Sequence, residues 1–409
     1  MALRIATGAF KSSRIENLQV DAGEPPLNFR RYYLSGNYVA KVIYNINNPM
    51  RDIIMNISKH GRDLIFVNSP KPLAVRFSEW IDLKNIYPLL RLPSCPYPPW
   101  QIRFPQFEKI SASTKHSVLP QEFQLKYCEY INKNRQNNSL VCFTDGSKSC
   151  RGVGSAHKIN QEMSTYRLNP LSSSFTAEAF AMEMCLNNLI NHPIADNILI
   201  FTDSKSLISS MQQLFCRNIL IHDIQVACHK LILKGNNVKI IWIPSHCGIA
   251  GNEEVDKAAQ SFTNAQIYSL ITPVDLKAFL KNEFKKKWQI WWDNIQPPNK
   301  IKEIKDTVKE WQTSNRNLRK EEIILSRLRI GHTRLTHGFL MERTDPPQCE
   351  VCNTTITVKH ILCHCTKYTQ IRLKYNLNNL QIKDILGDNP RTIDLLFKFL
   401  KDSNLLPKL

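Results

Sequence analysis

Two apolar runs in the sequence each end in Thr-Asp, which puts a carboxylate at the end of a predicted strand. Asp145 follows the run SLVCF, and Asp203 follows the run NILIF. If these two strands are neighbours in a parallel sheet, both carboxylates lie at the same sheet edge. A lone Asp after a strand is usually a turn or helix-capping residue, so the interpretation depends on what else reaches that edge.

Two further acids lie on predicted helices that can pack over the same edge. Glu178 lies in the helical pattern FTAEAFAMEMCLNNLINH, and Asp256 lies in the helix that begins with NEEVDKAAQSF. Crowded carboxylates repel and raise one another's pKa, unless divalent cations share them. Such oxygen ligands suit Mg²⁺, with Mn²⁺ as an alternative, and two ions about 4 Å apart can promote phosphodiester cleavage. The sequence therefore predicts a two-metal catalytic site of Asp145, Glu178, Asp203 and Asp256.

The loop before the last of these acids adds a residue that can transfer protons. His246 lies in the segment IPSHCGIAGNEEVDKAAQ, where glycines allow a tight turn. Imidazole exchanges protons near neutral pH, so we assign His246 to the catalytic set. Asn252 lies one helical turn before Asp256.

Hydrophobic periodicity predicts an α/β fold for the middle of the chain. The elements over 139–262 follow the order β-β-β-α-β-α-α-β-α, which indicates a mixed sheet with helices on its faces. Six prolines and no clear period mark 93–121 as a linker or extended segment. The N-terminal segment and the region after residue 263 are predicted to be mostly helical.

The motifs FTDGS, TAEAFA, IFTDS and WIPSHCGIAGNEEVD resemble those of type 1 ribonuclease H domains over about 139–262. This resemblance implies a five-stranded mixed sheet and Mg²⁺-dependent cleavage of the RNA strand of RNA–DNA hybrids. It also implies that Asp145 bridges two metal ions and that His246 helps to activate water or release product. Contacts to the RNA strand are implied for Gly146, Ser147 and Asn252, and RNA is told from DNA by its 2′-hydroxyls.

Charge is distributed unevenly along the chain, whose formal net charge is +19. Residues 1–138 carry 19 Lys and Arg against 10 Asp and Glu, residues 139–262 carry 10 against 10, and residues 263–409 carry 25 against 15. Basic flanks around a neutral middle predict a nucleic-acid partner held by the flanks. Neither a signal peptide nor an 18-residue apolar run is present, so we expect no membrane partner and a nuclear or cytoplasmic location.

A Cys/His cluster near the C-terminus has the spacing of a structural zinc site. The predicted ligands are Cys349, Cys352, His360 and Cys365, three thiolates and one imidazole. Cys363 or His364 could replace Cys365 as the fourth ligand.

Basic and aromatic residues before this cluster allow two interpretations each. One basic set could form a cationic face for phosphates or a solvated helix; it comprises Arg327, Arg329, His332, Arg334 and His337. Trp288, Trp291 and Trp292 could stack on bases, but packing into a core is favoured.

The whole chain resembles the C-terminal part of an insect-type, Jockey-like non-LTR retrotransposon polyprotein. The segments LSRLRIGHTRLTHGFLMERTDPPQCEVC and ALRIATGAFKSSRIENLQVDAGEPPLNFRR carry this likeness. The implied domains are a reverse-transcriptase thumb or connection remnant (1–100), a linker (101–138), the ribonuclease H domain (139–262), and a helical region (263–409) with a zinc knuckle (349–365).

This resemblance also predicts a missing activity and the binding partners of the chain. It implies an N-terminally truncated copy without polymerase activity, because the chain has no adjacent Asp-Asp pair. The implied partners are RNA–DNA hybrid, other nucleic acid, and the reverse transcriptase domain or RNA of such an element. Two alternatives are a catalytically weak nucleic-acid-binding remnant and a DNA strand-transfer enzyme such as an integrase. The four-acid set and the His246 turn argue against strand transfer.

Overall fold

The computed structural model describes residues 1–60, 72–73, 75–76, 87–88, 97–110, 119–216, 218–261 and 265–409. One compact unit joins Met1–Leu34 to Lys281–Leu409, and the other holds Ser35–Leu280. Within the described ranges, no helix combines the length and apolar character needed to cross a bilayer.

The helices and strands are numbered in chain order. Four helices come first: α1 (Ala2–Thr7), α2 (Ile15–Asp21), α3 (Leu27–Ile43) and α4 (Met50–His60). The strands are β1 (Tyr87–Pro88), β2 (Gln106–Lys109), β3 (Leu140–Ser149), β4 (Gly152–Ile159), β5 (Glu162–Leu168), β6 (Asn197–Thr202), β7 (Asn237–Trp242), β8 (Gln266–Tyr268) and β9 (Leu270–Ile271).

Helices among and after these strands complete the described secondary structure. They are α5 (Pro120–Asn134), α6 (Ser174–Ile190), α7 (Lys205–Met211), α8 (Ile219–Leu233), α9 (Ala250–Ser261), α10 (Pro273–Asp293), α11 (Arg319–Ile330), α12 (Arg334–His337), α13 (Phe339–Glu342), α14 (Thr369–Lys374), α15 (Ile382–Ile385) and α16 (Pro390–Asp402). Short 3₁₀ turns lie at Pro99–Gln101, Thr366–Tyr368 and Leu406–Lys408, and a π-helical turn lies at His360–His364.

A mixed sheet of the strand order β2-β7-β6-β3-β4-β5-β8 forms the centre of the unit Ser35–Leu280. Strands β3, β6, β7 and β2 run parallel, whereas β3, β4 and β5 form an antiparallel meander. From β3 to α9 the chain follows the order β-β-β-α-β-α-α-β-α, which confirms the predicted order. Thr144 of β3 pairs with Thr202 of β6, so Asp145 and Asp203 follow side by side, although β3 continues to Ser149 along β4 whereas β6 ends.

Both faces of this sheet are covered, which explains the continuous apolar runs of its central strands. On one face, Cys142 and Ile200 pack against α6 and α8 in the larger core cluster. On the other face, Phe143 and Phe201 pack in a second cluster, against Val255 of α9 and tyrosines of α5. The alternation of side chains along β3 therefore places successive residues in two different cores.

Two expectations differ from the structure at the sheet edges. The sheet has seven strands rather than five, because β2 pairs with β7 and β8 pairs with β5. The segment 101–138, predicted as a linker, contains β2 and α5, and Phe123 of α5 is buried. Residues 93–96 and 111–118 of the proline-rich stretch lie outside the described residues, as do 61–71 of the predicted thumb remnant.

The unit of Met1–Leu34 and Lys281–Leu409 has an apolar core of its own. Leucine and isoleucine side chains of α11, α15 and α16 meet Val358, Ile361 and Leu362 from the Cys/His segment in this core. Trp288 and Trp292 of α10 are buried, which confirms that they pack into a core. Trp291 contacts Phe29 edge-on, with ring centroids 6.3 Å apart.

Candidate active site

Three of the predicted acids converge where β6 ends beside the middle of β3, which continues past Asp145 to Ser149 instead of ending there as predicted. Asp145 continues β3, Asp203 follows β6, and Glu178 lies in the second turn of α6. Each offers a carboxylate oxygen, and these oxygens all lie within 4.8 Å of one another. The parallel register of β3 and β6 places Asp145 beside Asp203, and packing of α6 on β3 brings Glu178 to them.

Asp256 completes the group from α9. Its side chain is within hydrogen-bond reach of Asp145, and its charge raises the pKa of both Asp145 and Asp203. The structure thus brings together all four acids that the sequence assigned to one metal site.

Electrostatics at this cluster favour a bound cation. Burial, and then the charge of Asp203, raise the pKa of Asp145 to about 7. Burial, and then the neighbouring Asp145 and Asp203, raise the pKa of Glu178 to about 10. Burial is also the first cause of the raised pKa of Asp203. One buried oxygen of Glu178, Oε2, has no hydrogen-bond partner, so the oxygen-rich donor set fits a divalent cation such as Mg²⁺.

His246 lies at the rim of this cluster. Its Nδ1 is 3.6 Å from Oδ2 of Asp256, and its side chain is 64% exposed, so the imidazole can meet both a substrate and water. The loop around it is tied to α9, because Gly248 N–H donates to Oε1 of Glu253. Ligand atoms of His246, Glu253 and Asp256 lie within 4.8 Å of one another. Glu253 was not predicted to belong to the site, although its place three residues before Asp256 puts it on nearly the same helix face.

Two other residues that contact the site were also missed. Trp242 Nε1–H donates to the backbone carbonyl of Asp203 at 3.0 Å, which holds the end of β6. Gln124 of α5 donates from Nε2 to the carbonyl of Cys247 at 3.1 Å, next to His246. Gly248 has a φ of +75°, and a Cβ there would lie 2.0 Å from Gln124 Nε2, so the loop needs glycine at this point.

The residues expected to contact RNA have different environments. Asn252 is buried, and its side chain hydrogen-bonds Asp203, which makes it a support for that carboxylate. Its Oδ1 atom has no partner. Gly146 is also buried, and its N–H donates to Oδ1 of Asp145 at 2.8 Å. Ser147 is half-buried, and its contact with RNA stays a prediction.

Gly146 is required by the close approach of α6. A Cβ at this position would lie 2.2 Å from the backbone nitrogen of Glu178 and 2.4 Å from the carbonyl carbon of Ala177. We expect Gly146→Ala to destabilise the domain by about 1–3 kcal/mol and to displace Glu178, because backbone cannot yield as a flexible side chain can. The melting temperature of the domain and its rise on adding Mg²⁺ should both decrease. Ser147→Ala is the matched control, and an unchanged melting temperature for Gly146→Ala would contradict this account.

The four predicted zinc ligands also come together. Ligand atoms of Cys349, Cys352, His360 and Cys365 lie within 4.8 Å of one another. Cys349 N–H donates to the carbonyl of Thr354 at 2.8 Å, which closes the turn that carries the first two thiols. Cys363 packs against the apolar core, His364 is exposed, and neither belongs to the four-ligand group, so the structure selects Cys365 among the alternatives.

The hydrogen bonds of this Cys/His group fit a metal ion. Thr354 Oγ1 lies 3.4 Å from His360 Nδ1, while the buried Nε2 of His360 has no partner and is available as a ligand. The hydroxyl and backbone N–H of Thr366 both contact Cys352 Sγ, and these bonds lower the pKa of that thiol. Donors on the sulfur favour the thiolate, which is the form that binds zinc.

Arg329 does not belong to the predicted cationic face. Arg329 is 1% exposed, and its guanidinium donates to the carbonyls of Leu386 and Gly387. It is therefore an internal support and cannot hold phosphate as predicted. The half-buried Arg327 donates to the carbonyls of Gly8 and Leu409, whereas Arg334 is exposed.

The mixed sheet and its acid-lined edge together define an α/β domain of the ribonuclease H-like class. Residues 137–263 match the family model described as RNase H, and this match supports an RNase H domain in this part of the chain. The match covers the strands and helices that carry Asp145, Glu178, Asp203 and Asp256. Comparison of the chain with curated protein sequences gives no match.

Proposed function

We propose that the chain is a Mg²⁺-dependent endoribonuclease that cleaves the RNA strand of RNA–DNA hybrids. The observation that carries this proposal is the convergence of Asp145, Glu178, Asp203 and Asp256 from separate segments onto one sheet edge. A cluster of buried acids costs stability, and a catalytic metal site gives that cost a function.

The residues of the chain have distinct tasks in this mechanism. Bound divalent ions would supply activation of water and neutralisation of the charge that develops on the phosphate. Asp145 is assigned the central place, since its side chain is within hydrogen-bond reach of both Glu178 and Asp256 and its charge interacts with that of Asp203. Asn252 and Trp242 orient Asp203 through its side chain and its carbonyl. His246 is placed to take or give a proton at the rim, beside Asp256.

Substrate affinity is proposed to depend on the flanks of the domain. Residues 139–262 carry equal numbers of acidic and basic residues, whereas the segments on either side carry the excess of Lys and Arg. Phosphate contacts release counterions, so binding to the hybrid should weaken steeply as salt rises. Arg334 stays a candidate for a phosphate contact because it is exposed. Arg327 is half-buried, so only part of its side chain is accessible to a phosphate.

The test is hydrolysis of a hybrid by the full chain. A 5′-labelled RNA annealed to DNA is incubated with the protein in MgCl₂, in MnCl₂ and in EDTA. We expect internal cuts in the RNA strand with 3′-hydroxyl and 5′-phosphate ends, and none in EDTA. Duplex RNA and duplex DNA of the same sequence are the matched substrates and should stay intact.

Other outcomes would favour the other functions. Binding of the hybrid without cleavage in either metal would indicate a catalytically weak nucleic-acid-binding remnant. Joining of labelled duplex DNA ends to a second duplex would indicate strand transfer. Cleavage of the hybrid alone, dependent on metal, supports the proposed nuclease.

We further propose that the protein derives from a non-LTR retroelement, in which this activity would remove RNA after reverse transcription. The motif segments quoted above support this origin, as does the Cys/His group, which we propose to bind one structural Zn²⁺. A nuclear or cytoplasmic location would suit both the thiol ligands and the substrate.

A further inference from the structure

The chain beyond the RNase H match remains attached to the catalytic domain. The match ends at residue 263, but β8 pairs in parallel with β5, with Tyr166 opposite Gln266. The side-chain amide of Asn169 donates to the carbonyl of Ser269 at 2.8 Å. Residues 265–275 are thus held against the loop that leads from β5 into α6, the helix that carries Glu178.

Asp275 makes the most direct of these contacts. It is 1% exposed, and its Oδ1 accepts a hydrogen bond from the backbone N–H of Ser173 at 3.0 Å. Its Oδ2 accepts from the hydroxyl of Thr272 at 2.8 Å, and Thr272 Oγ1 accepts from the N–H of Asp275 at 3.2 Å. The carboxylate is therefore fixed in one orientation by its own helix start, with one oxygen directed at Ser173.

Ser173 is the N-cap of α6. Its Oγ accepts from the backbone N–H of Thr176 at 3.1 Å, which fixes the first turn of the helix. Glu178 lies two residues after Thr176, at the start of the second turn. The position of its carboxylate therefore depends on how the first turn is anchored. The same loop is held from β3 as well, because Lys148 Nζ donates to the carbonyl of Ser172 at 2.5 Å.

We propose that Asp275 is a positioning residue of the nuclease, which acts on the metal-binding acid Glu178 through Ser173 and the first turn of α6. This inference rests on the proposed function. It extends the catalytic unit past the family match to the start of α10. A chain cut at residue 263 would keep all four acids but lose the buried anchor of one of them.

A purely structural role for Asp275 makes a different prediction. A buried capping carboxylate can stabilise a fold without affecting metal binding, and its loss would then reduce the folded fraction at every Mg²⁺ concentration alike. A positioning role changes the half-saturating Mg²⁺ concentration, because a displaced Glu178 binds the ion less well. Groups that support metal ligands typically change affinity by about 10–100-fold.

The experiment compares Asp275→Ala and Asp275→Asn with the wild type in the full chain. Hybrid cleavage is measured across a Mg²⁺ titration, well below the melting temperature of each variant. For Asp275→Ala we expect the half-saturating Mg²⁺ concentration to rise about tenfold, with most activity regained at high Mg²⁺. Asp275→Asn keeps an oxygen that can accept from Ser173 N–H, so it should regain much of the loss. Asp293→Ala, on the exposed end of the same helix, is the control and should match the wild type.

Failure of this inference can be told from failure of the proposed function. If the wild type cleaves the hybrid and Asp275→Ala has the same half-saturating Mg²⁺, the positioning role is wrong and the nuclease stands. If the wild type does not cleave, the proposed function is wrong, and the rise in melting temperature on adding Mg²⁺ replaces activity as the readout. An equal rise in wild type and Asp275→Ala would then overturn the positioning role too. A smaller rise in Asp275→Ala that Asp275→Asn restores would support it.

Discussion

Replacement of Asp145 by Asn should abolish hybrid cleavage while making the metal-free protein more stable. The carboxylate interacts with Glu178, Asp203 and Asp256, so no neighbouring acid can take over its place. Loss of the central ligand of a two-metal site removes most of the catalytic effect of the ions, and we expect a decrease in rate of at least about 1,000-fold. Asn keeps the oxygen that accepts from Gly146 N–H, so the local backbone should be preserved.

The gain in stability follows from the raised pKa of Asp145. Its pKa rises from 3.8 to about 7 on folding, so the folded state binds more protons than the unfolded state between these values. The metal-free wild type should therefore lose stability as pH rises from about 4 to 7. Above that range, Asp145 should cause no further loss of stability. Asn carries no charge to desolvate, so at neutral pH it should stabilise the metal-free chain by about 1–3 kcal/mol.

Mg²⁺ should reverse the order of the two proteins. In the proposed site the ion would bind the deprotonated acids, so it should raise the melting temperature of the wild type much more than that of Asp145→Asn. Asp196→Asn, an exposed acid in the loop before β6, is the matched control and should behave as the wild type in cleavage and stability. Undiminished cleavage by Asp145→Asn would remove this residue from the mechanism. A lower metal-free melting temperature would show that the acids are not in mutual repulsion.

The sequence was sufficient to predict the central sheet and its acids because these follow from local patterns. Each apolar run ended in Thr-Asp, and β3 and β6 pair with Thr144 opposite Thr202. Parallel neighbours end at one edge, so the side-by-side placement of Asp145 and Asp203 followed from one condition, that β3 and β6 are neighbours, which the structure confirms. The helical periods of α6 and α9 allowed Glu178 and Asp256 to reach the same edge, and packing of these helices on β3 brings them there.

The sheet edges and the supports of the site were not predictable in this way. β2 and β8 are short, and each is stabilised by a partner strand remote in sequence, β7 and β5 respectively. The prolines before β2 indicated an extended chain but not the strand with which β2 pairs. Gln124 and Asp275 read as ordinary polar residues of helices, since their role depends on which backbone group they meet.

Arg329 shows the same limit for charge. Helical spacing placed it near Arg327 and Arg334, but spacing does not tell which face is buried. In the structure its guanidinium donates to the hydroxyl of Thr313 and to the carbonyls that follow α15. The guanidinium carbon also lies 3.7 Å from the centroid of the Trp311 ring. A buried Arg whose three guanidinium nitrogens all donate hydrogen bonds is explained only by contacts distant along the chain.

Removal of the proposed zinc ion should have the largest effect on stability in the C-terminal part of the chain. Val358 lies between the second and third ligands, and Ile361 and Leu362 follow the third. All three pack in the core shared with α11, α15 and α16. Structural zinc sites contribute about 10–16 kcal/mol of apparent binding free energy, so loss of one ligand should destabilise this core by several kcal/mol. We expect about one zinc per chain by elemental analysis, and a markedly lower melting temperature after chelation.

Two cysteines in one segment provide a matched test of this site. Cys365 lies within the four-ligand group, whereas Cys363 packs against the apolar core two residues earlier. Cys365→Ser should therefore release zinc and lower the melting temperature, and Cys363→Ser should keep the ion with a much smaller loss of stability. Zinc retained by Cys365→Ser but lost from Cys363→Ser would mean that the fourth ligand is misassigned. A metal-free wild type that melts as one cooperative, fully folded protein would mean that side-chain packing alone holds these four groups together.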